Sequence, residues 1–518
     1  MSKTFSLSDS SVVVVIGSGA GGGTLGHELA RQGIDVVCLE AGPRQEASEF
    51  VNDAEEMTAR LTWLDRRIGV GDTDANFPVF TCKTVGGTTV HWTATALRMQ
   101  DHELRPQTTY GKIENTSLID WPLSPEELAP YYDRAEDKMG VTGTHGIPRL
   151  PESNHYKVLK AGAKRVGYQH FNTGNMAINS EDRDGRPACR QIGFCMSGCV
   201  IAAKWSTLYT EIPRAEDTGH FELRPQAMAV RINHDADGRV AGVVYIDKDG
   251  VRREQKARAV CVAGNAIETA RLLLNSKSDL FPSGLANRSD QVGRHYMRHV
   301  FAGVAAIMPG PVNFHRGTQQ AGHVQDEADH RPERGFSGGY QIEILPFPPT
   351  SLARLVSPGG WGDDFAAIME KYNHFASLLI QGEDFPQADN RILLHGEERD
   401  AYGLPLPVVR YRDHANNVAL RRHGVAAARK IFQSLGAERI FTYPLKSATH
   451  NMGACRMSER PQDGVCDRWG RAHDIRNLYI SDGSAFSSSS SANPTLTIVA
   501  LAIRQAEHIA KEISAGRM

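Results

Sequence analysis

An uninterrupted apolar run, Val12-Val13-Val14-Val15-Ile16, opens the readable pattern of this chain. A short continuous run of this kind marks a parallel strand buried on both faces. Gly17-Ser18-Gly19-Ala20-Gly21-Gly22 follows, then an amphipathic stretch that predicts a helix to about Gln32. Ile34 to Leu39 predicts the next strand, which ends at Glu40. Together these form a βαβ unit of about 30 residues, with the glycines at the strand-to-helix turn.

Beyond residue 45 the pattern loosens, and Pro, Gly, Asp and His are spread through long loops to about residue 220. Alternation returns between Ala227 and Val262, where Asp237-Gly238 and Asp249-Gly250 predict two hairpins. A helix is expected from Gly264-Asn265 through Leu274, and another from about Asn416 to Leu435. Pro346–Pro349 interrupt a region of mixed strands. The chain closes with a strand, Leu478 to Ser481, and a helix that starts after Pro494.

At 518 residues the chain is long enough for two or more domains with large cores. A net charge of −2 favours neither nucleic acid nor an anionic membrane surface. No stretch approaches the roughly 20 apolar residues needed to cross a bilayer. The first apolar run is too short for a signal-peptide core, so folding in the cytoplasm is the expectation. Eight cysteines are too sparse for a disulfide scaffold, and only Cys189, Cys195 and Cys199 cluster. Cys38 and Cys261 sit in apolar strand patterns and read as core residues.

Candidate chemistry begins at the glycines. Gly17 permits the turn, Gly19 lets backbone N–H groups approach a pyrophosphate, and Gly22 lets the helix pack on the sheet. Glu40, at the end of the second strand, is placed to accept ribose hydroxyls. The pattern indicates an adenine dinucleotide and does not separate FAD from NAD.

Further segments make the separation. Val85-Gly86-Gly87-Thr88-Thr89-Val90-His91-Trp92-Thr93 resembles the flavin-contact loop of the glucose–methanol–choline (GMC) oxidoreductases. Gly264 to Leu273 resembles that family's second signature, with Ala270 where proline is more usual, and Ser481-Asp482-Gly483-Ser484 resembles the loop whose acid meets the flavin ribityl chain. Thr449-His450-Asn451-Met452-Gly453 and Ala492-Asn493-Pro494-Thr495-Leu496-Thr497 are similar to its two active-site segments. Residues 300–440 match no signature.

The resemblance implies FAD, with Gly86, Gly87, Thr88, His91, Trp92, Thr93 and Asp482 joining Gly17, Gly19, Gly22 and Glu40 around it. It implies that His450 removes a hydroxyl proton while Asn493 orients the hydroxyl. Chemistry alone leaves a plainer reading, with His450 a satisfied interior histidine and Asn493 a helix cap before Pro494 at the first helical position. His91-Trp92-Thr93 also matches a triplet that carries covalent flavin in the pyranose 2-oxidase branch. Covalent linkage and simple flavin packing are both open for His91.

Cys189-x5-Cys195-x3-Cys199 resembles the three ligands of a [3Fe–4S] cluster in bacterial FAD-dependent glucose and fructose dehydrogenases of this family. Thiolates are the ligands such clusters need. Val200 stands where those relatives usually have proline, and a zinc site or three loop thiols are the rival readings.

The expected fold is α/β: a Rossmann-like FAD-binding domain of the GMC type, built from 1–50, 80–100, 222–300 and 445–518. A substrate domain with a mostly antiparallel (α+β) sheet is expected from 51–79, 101–221 and 301–444, which also carries the cysteine loop. The expected function is oxidation of a sugar or sugar-derivative hydroxyl, with electrons passed through the cluster to a cytochrome or other acceptor. Relatives of this kind work with a small accessory subunit that bears the export signal, so co-export to the periplasm is open. The alternatives are an oxygen-using sugar oxidase and a non-catalytic redox-sensing flavoprotein. Substrate-pocket residues are expected from 300–440 and from loops around 50–80, with no readable code for the substrate itself.

Overall fold

The computed structural model describes residues 3–518. Its first sheet has five parallel strands in the order Leu478–Ile480, Ala259–Val262, Val13–Ile16, Val36–Leu39 and Phe221–Arg224. The three strands Val13–Ile16, Val36–Leu39 and Ala259–Val262 are buried on both faces, which explains why they read as continuous apolar runs. Helices Ala20–Ala30 and Thr495–Ser514 pack against each other over this sheet. Cys38 and Cys261 are buried strand residues, as their patterns indicate.

The turn between the first strand and its helix is built for contact. Gly17 has φ +98°, and a Cβ there would lie 2.3 Å from the Ala263 carbonyl oxygen. Close packing on the sheet is shared by Gly22 and Gly21, whereas the sequence pattern singled out Gly22 alone. Their Cβ positions fall 2.0 Å from the Gly17 oxygen and 1.7 Å from the Ser481 oxygen respectively. A Cβ on Gly19 would meet nothing closer than 3.9 Å, so this side of the turn is open.

Both hairpins form. Strands Met228–His234, Val240–Ile246 and Arg252–Lys256 make a three-stranded antiparallel sheet. The other large sheet is antiparallel, ordered Arg439–Tyr443, Val300–Ile307, Phe375–Gly382, Tyr340–Ile344, His323–Val324 and Phe171–Asn172. Helix Ala415–Ser434 covers one of its faces with Leu420, Ala428, Ile431 and Phe432. The interval from 45 to 220 is more helical than its composition indicates. Pro125–Met139 and Asn154–Arg165 are helices, the first opened by a capping box between Ser124 and Glu127.

Candidate active site

A cavity of about 1420 Å³ lies where the two large sheets meet. That exceeds the usual volume of a small-ligand pocket, roughly 300–1,000 Å³, and leaves room for a dinucleotide together with a substrate. Gly17–Gly21, Glu40, Gly87–Thr89, His91–Thr93, Gly264 and Asp482 form one part of its wall. Residues 52–55, 58–59, Phe77, 80–82, 345–351, Phe301, Gln320, Gln381, His450 and Asn493 are also among its lining.

Glu40 is buried at the end of its strand. Its Oε2 accepts from Ser18 N (3.0 Å) and Ser18 Oγ (2.6 Å), and its Oε1 accepts from Gly42 N (2.8 Å). A carboxylate has about four acceptor sites, so one remains for a hydroxyl in the cavity. Burial raises its pKa, and the Ser18 and Gly42 hydrogen bonds oppose that rise. Asp482 ties two loops together: Oδ2 accepts from Asn265 N (2.9 Å) and Thr269 Oγ1 (2.6 Å), and Oδ1 accepts from Ser484 N (2.8 Å).

Gly86 N donates to Ser18 Oγ (3.0 Å), docking the second glycine loop on the first. Gly86 and Gly87 both have positive φ, and a Cβ on Gly87 would lie 3.0 Å from the Gly19 Cα. Thr88 lies in the short turn Gly87–Val90 that aims His91 at the cavity. His91 is buried, stacks on Phe80 at 4.6 Å, and is held to a pKa of about 3 by burial and then by the Lys204 charge. It is a neutral imidazole at any ordinary pH. Trp92 Nε1 donates to the Trp205 carbonyl (2.9 Å), and Thr93 Oγ1 donates to Gln320 Oε1. An open side at Gly19, a spare acceptor on Glu40 and facing glycine loops suit a bound FAD.

The catalytic candidates meet on the same cavity. His450 is held to a pKa of about 4 by burial, so its ring is neutral and able to take a proton. Its Nδ1 lies 2.8 Å from Nδ1 of His299. Asn493 is buried and forms a reciprocal amide pair with Gln381: Gln381 Nε2 donates to Asn493 Oδ1 (3.1 Å), and Asn493 Nδ2 donates to Gln381 Oε1 (3.2 Å). The cap reading of Asn493 does not hold. Helix Thr495–Ser514 starts one residue later than that reading places it, with Pro494 at its cap and no side-chain cap bond.

Residues 13–301 and 386–502 match the N- and C-terminal parts of the GMC oxidoreductase family. The chain belongs to the GMC oxidoreductases. It is similar to 2-methyl-1,2-propanediol dehydrogenase of Mycolicibacterium austroafricanum, at 30% identity over 98% of this chain and 96% of that one. The fructose dehydrogenase large subunit of Gluconobacter japonicus is also 30% identical, over 97% of this chain and 98% of its own length. Among solved structures, the fold matches pyridoxine 4-oxidase from Mesorbium loti with a TM-score of 0.69 at 16% identity, covering 96% of this chain and 98% of that one. As a GMC oxidoreductase, the chain is an FAD-dependent enzyme acting on CH–OH groups.

In this GMC oxidoreductase the segment that carries the three clustered thiols is tied to the Gly86–Thr93 loop. Lys204 is fully buried and donates to the carbonyls of Val90 and Trp92, each at 2.8 Å, and to that of Cys195. Burial raises the pKa of Cys195 to about 11; the Lys204 charge opposes this, while Cys189 and Cys199 add to it. Gln191 N points at Cys189 Sγ (3.3 Å), and Gly193 and Gly198 have φ of +89° and +88°. Backbone turned toward sulfur in this way suits an iron–sulfur site.

Lys204, His299, Gln381 and Gln320 escaped the sequence reading. A lysine flanked by Ala203 and Trp205, and a glutamine ending the apolar strand Phe375–Gly382, were the available signals.

Proposed function

We propose that this chain is an FAD-dependent dehydrogenase that oxidises a hydroxyl of a sugar or sugar derivative. Electrons would leave through a [3Fe–4S] cluster to a partner acceptor. The observation that carries this reading is the convergence of His450, Asn493 and the glycine turn on one cavity, with Lys204 tying the Cys195 backbone to the Gly86–Thr93 loop.

When bound, FAD supplies a two-electron acceptor for the hydride. The Gly17–Gly22 turn, Glu40, Gly86, Gly87, Thr88, His91, Trp92, Thr93 and Asp482 would hold it. His450 accepts the hydroxyl proton of the substrate at Nε2, the nitrogen not engaged by His299. Asn493, locked by Gln381, keeps one amide hydrogen to orient that hydroxyl. Cys189, Cys195 and Cys199 would hold the cluster, which supplies one-electron chemistry between the flavin site and the exterior. Similarity to proteins named as a fructose dehydrogenase large subunit and a gluconate 2-dehydrogenase flavoprotein supports a sugar-type substrate and an accessory subunit. Similarity to paromamine 6'-oxidase of Streptomyces fradiae, at 29% identity, keeps the oxygen-using alternative as the second reading. Among the described residues no helix is long and apolar enough to cross a membrane, so a membrane-bound acceptor would be reached through a partner.

The test is anaerobic mixing of the FAD-loaded protein with D-fructose, D-gluconate, D-glucose and 2-methyl-1,2-propanediol. Bleaching of the flavin band by a sugar supports the reading. Bleaching by the non-sugar diol alone, or by none of the four, counts against it.

A further inference from the structure

We propose that the reacting hydroxyl belongs to a sugar ring carrying an apolar substituent, and that Leu379, Leu345 and Phe347 hold that substituent. This rests on the reading of the substrate as a sugar derivative.

Strand register makes the argument. Side chains two apart on a strand share a face, so Leu379 and Gln381 both project from Phe375–Gly382 into the cavity. Gln381 pairs across the sheet with Phe301 and bonds Asn493, which marks the reacting end. The Phe301 ring lies 5.5 Å from that of His450, centroid to centroid. Leu379 sits about 7 Å farther along the strand. On one side it pairs with Gly303, which has no side chain to offer. On the other it pairs with Glu343, whose carboxylate is turned to Gln320 and takes no part in the lining.

The next step outward is Leu345, tied to Ser377 in both directions. Leu345 N donates to the Ser377 carbonyl at 3.3 Å, and Ser377 Oγ donates to the Leu345 carbonyl. Phe347 follows, packed edge-on against Tyr443 with ring centroids 6.1 Å apart. The path away from the base therefore runs through one polar residue, Gln381, and then three apolar ones. Ser447 and Tyr372, in the same cavity wall, spend their hydroxyl hydrogens on the carbonyls of Phe77 and Phe347, at 2.7 and 2.9 Å. Arg354 lines the cavity as well but is exposed to solvent. Sugar hydroxyls laid along this path would give up water without gaining partners, which costs free energy for each one. An alkyl or aryl group gains there instead: each fully buried methylene tightens binding about 3- to 4-fold.

The experiment is anaerobic titration of the FAD-bound protein with methyl and hexyl β-D-glucopyranoside, read from the flavin absorbance, which reports both binding and bleaching. Half-saturation is expected at a concentration about 30-fold or more lower for the hexyl compound. Equal half-saturation, tighter binding of the methyl compound, or no response to either overturns the proposal. In Leu379→Asn and in Phe347→Ala, each with FAD still bound, the hexyl advantage should shrink about 10-fold. An advantage kept in full in both variants also overturns it. The sugar reading fails separately. If 1-hexanol bleaches the flavin while hexyl β-D-glucopyranoside binds without bleaching it, the substrate is not a sugar derivative and the apolar subsite stands.

Discussion

The buried ammonium of Lys204 donates to the carbonyl of Cys195, while its other bonds, 2.8 Å each, go to Val90 and Trp92. One side chain therefore staples the cysteine loop to the Gly86–Thr93 loop. Burial lowers its pKa to about 8, against the pull of nearby thiols, so it stays charged at neutral pH. Lys204→Met would leave three carbonyls without their donor. At about 1–3 kcal/mol for each unsatisfied buried group, a loss of several kcal/mol is expected. Thermal melting and iron content of the purified variant check this; an unchanged melting point with full iron would contradict the staple.

His450→Ala should retain FAD yet reduce the substrate-driven flavin bleaching rate by about 100-fold or more, through loss of the base. Stopped-flow absorbance with the best donor measures it. Undiminished bleaching would remove His450 from the mechanism.

The pH profile of that bleaching follows from the burial of His450. Its pKa is held to about 4, below the usual value near 6.5. The ring is protonated and inactive below pH 4 and neutral above it. The rate should climb as pH rises through about 4 and be level from 5 to 7. An acid limb centred near 6.5 would mean an exposed, unperturbed histidine.

Glu343 lies behind the cavity wall, accepting from Gln320, which in turn accepts from Thr93. Full burial raises its pKa to about 8. The folded value is above the unfolded one, so this group favours the folded state least at high pH: the unfolded chain sheds its proton from about pH 4.3 upward while the folded chain keeps it. Glu343→Gln should therefore be more stable than the unaltered protein at pH 8, by on the order of 2–4 kcal/mol, with the gap closing toward pH 4.5. Melting curves at both pH values test this, and a gap that does not depend on pH would contradict it.

The parts of the fold that could be read in advance are those with a local pattern. Val12–Ile16, the glycine turn, Glu40 and both Asp-Gly hairpins were legible because strand, turn and helix periods are written in adjacent residues. Helix Pro125–Met139 was legible too, through Ser124-Pro125-Glu126-Glu127, but the loop-rich composition around it masked the signal. What stayed hidden depends on long-range pairing. Gln381 faces Asn493 only because Phe375–Gly382 sits between Val300–Ile307 and Tyr340–Ile344. His299 meets His450 because its segment ends at the same sheet, 151 residues away in sequence. Neither contact leaves a periodic trace.

We propose that this GMC oxidoreductase exports electrons through a cluster held by Cys189, Cys195 and Cys199. The most direct measurement is iron and acid-labile sulfide content, with EPR of the oxidised sample, on anaerobically purified protein and on Cys195→Ser. About three irons per FAD and an oxidised-state [3Fe–4S] signal are expected. In Cys195→Ser both should be lost, while substrate still bleaches the flavin once. Iron-free, FAD-loaded protein that turns over with oxygen would contradict it and favour the oxidase reading.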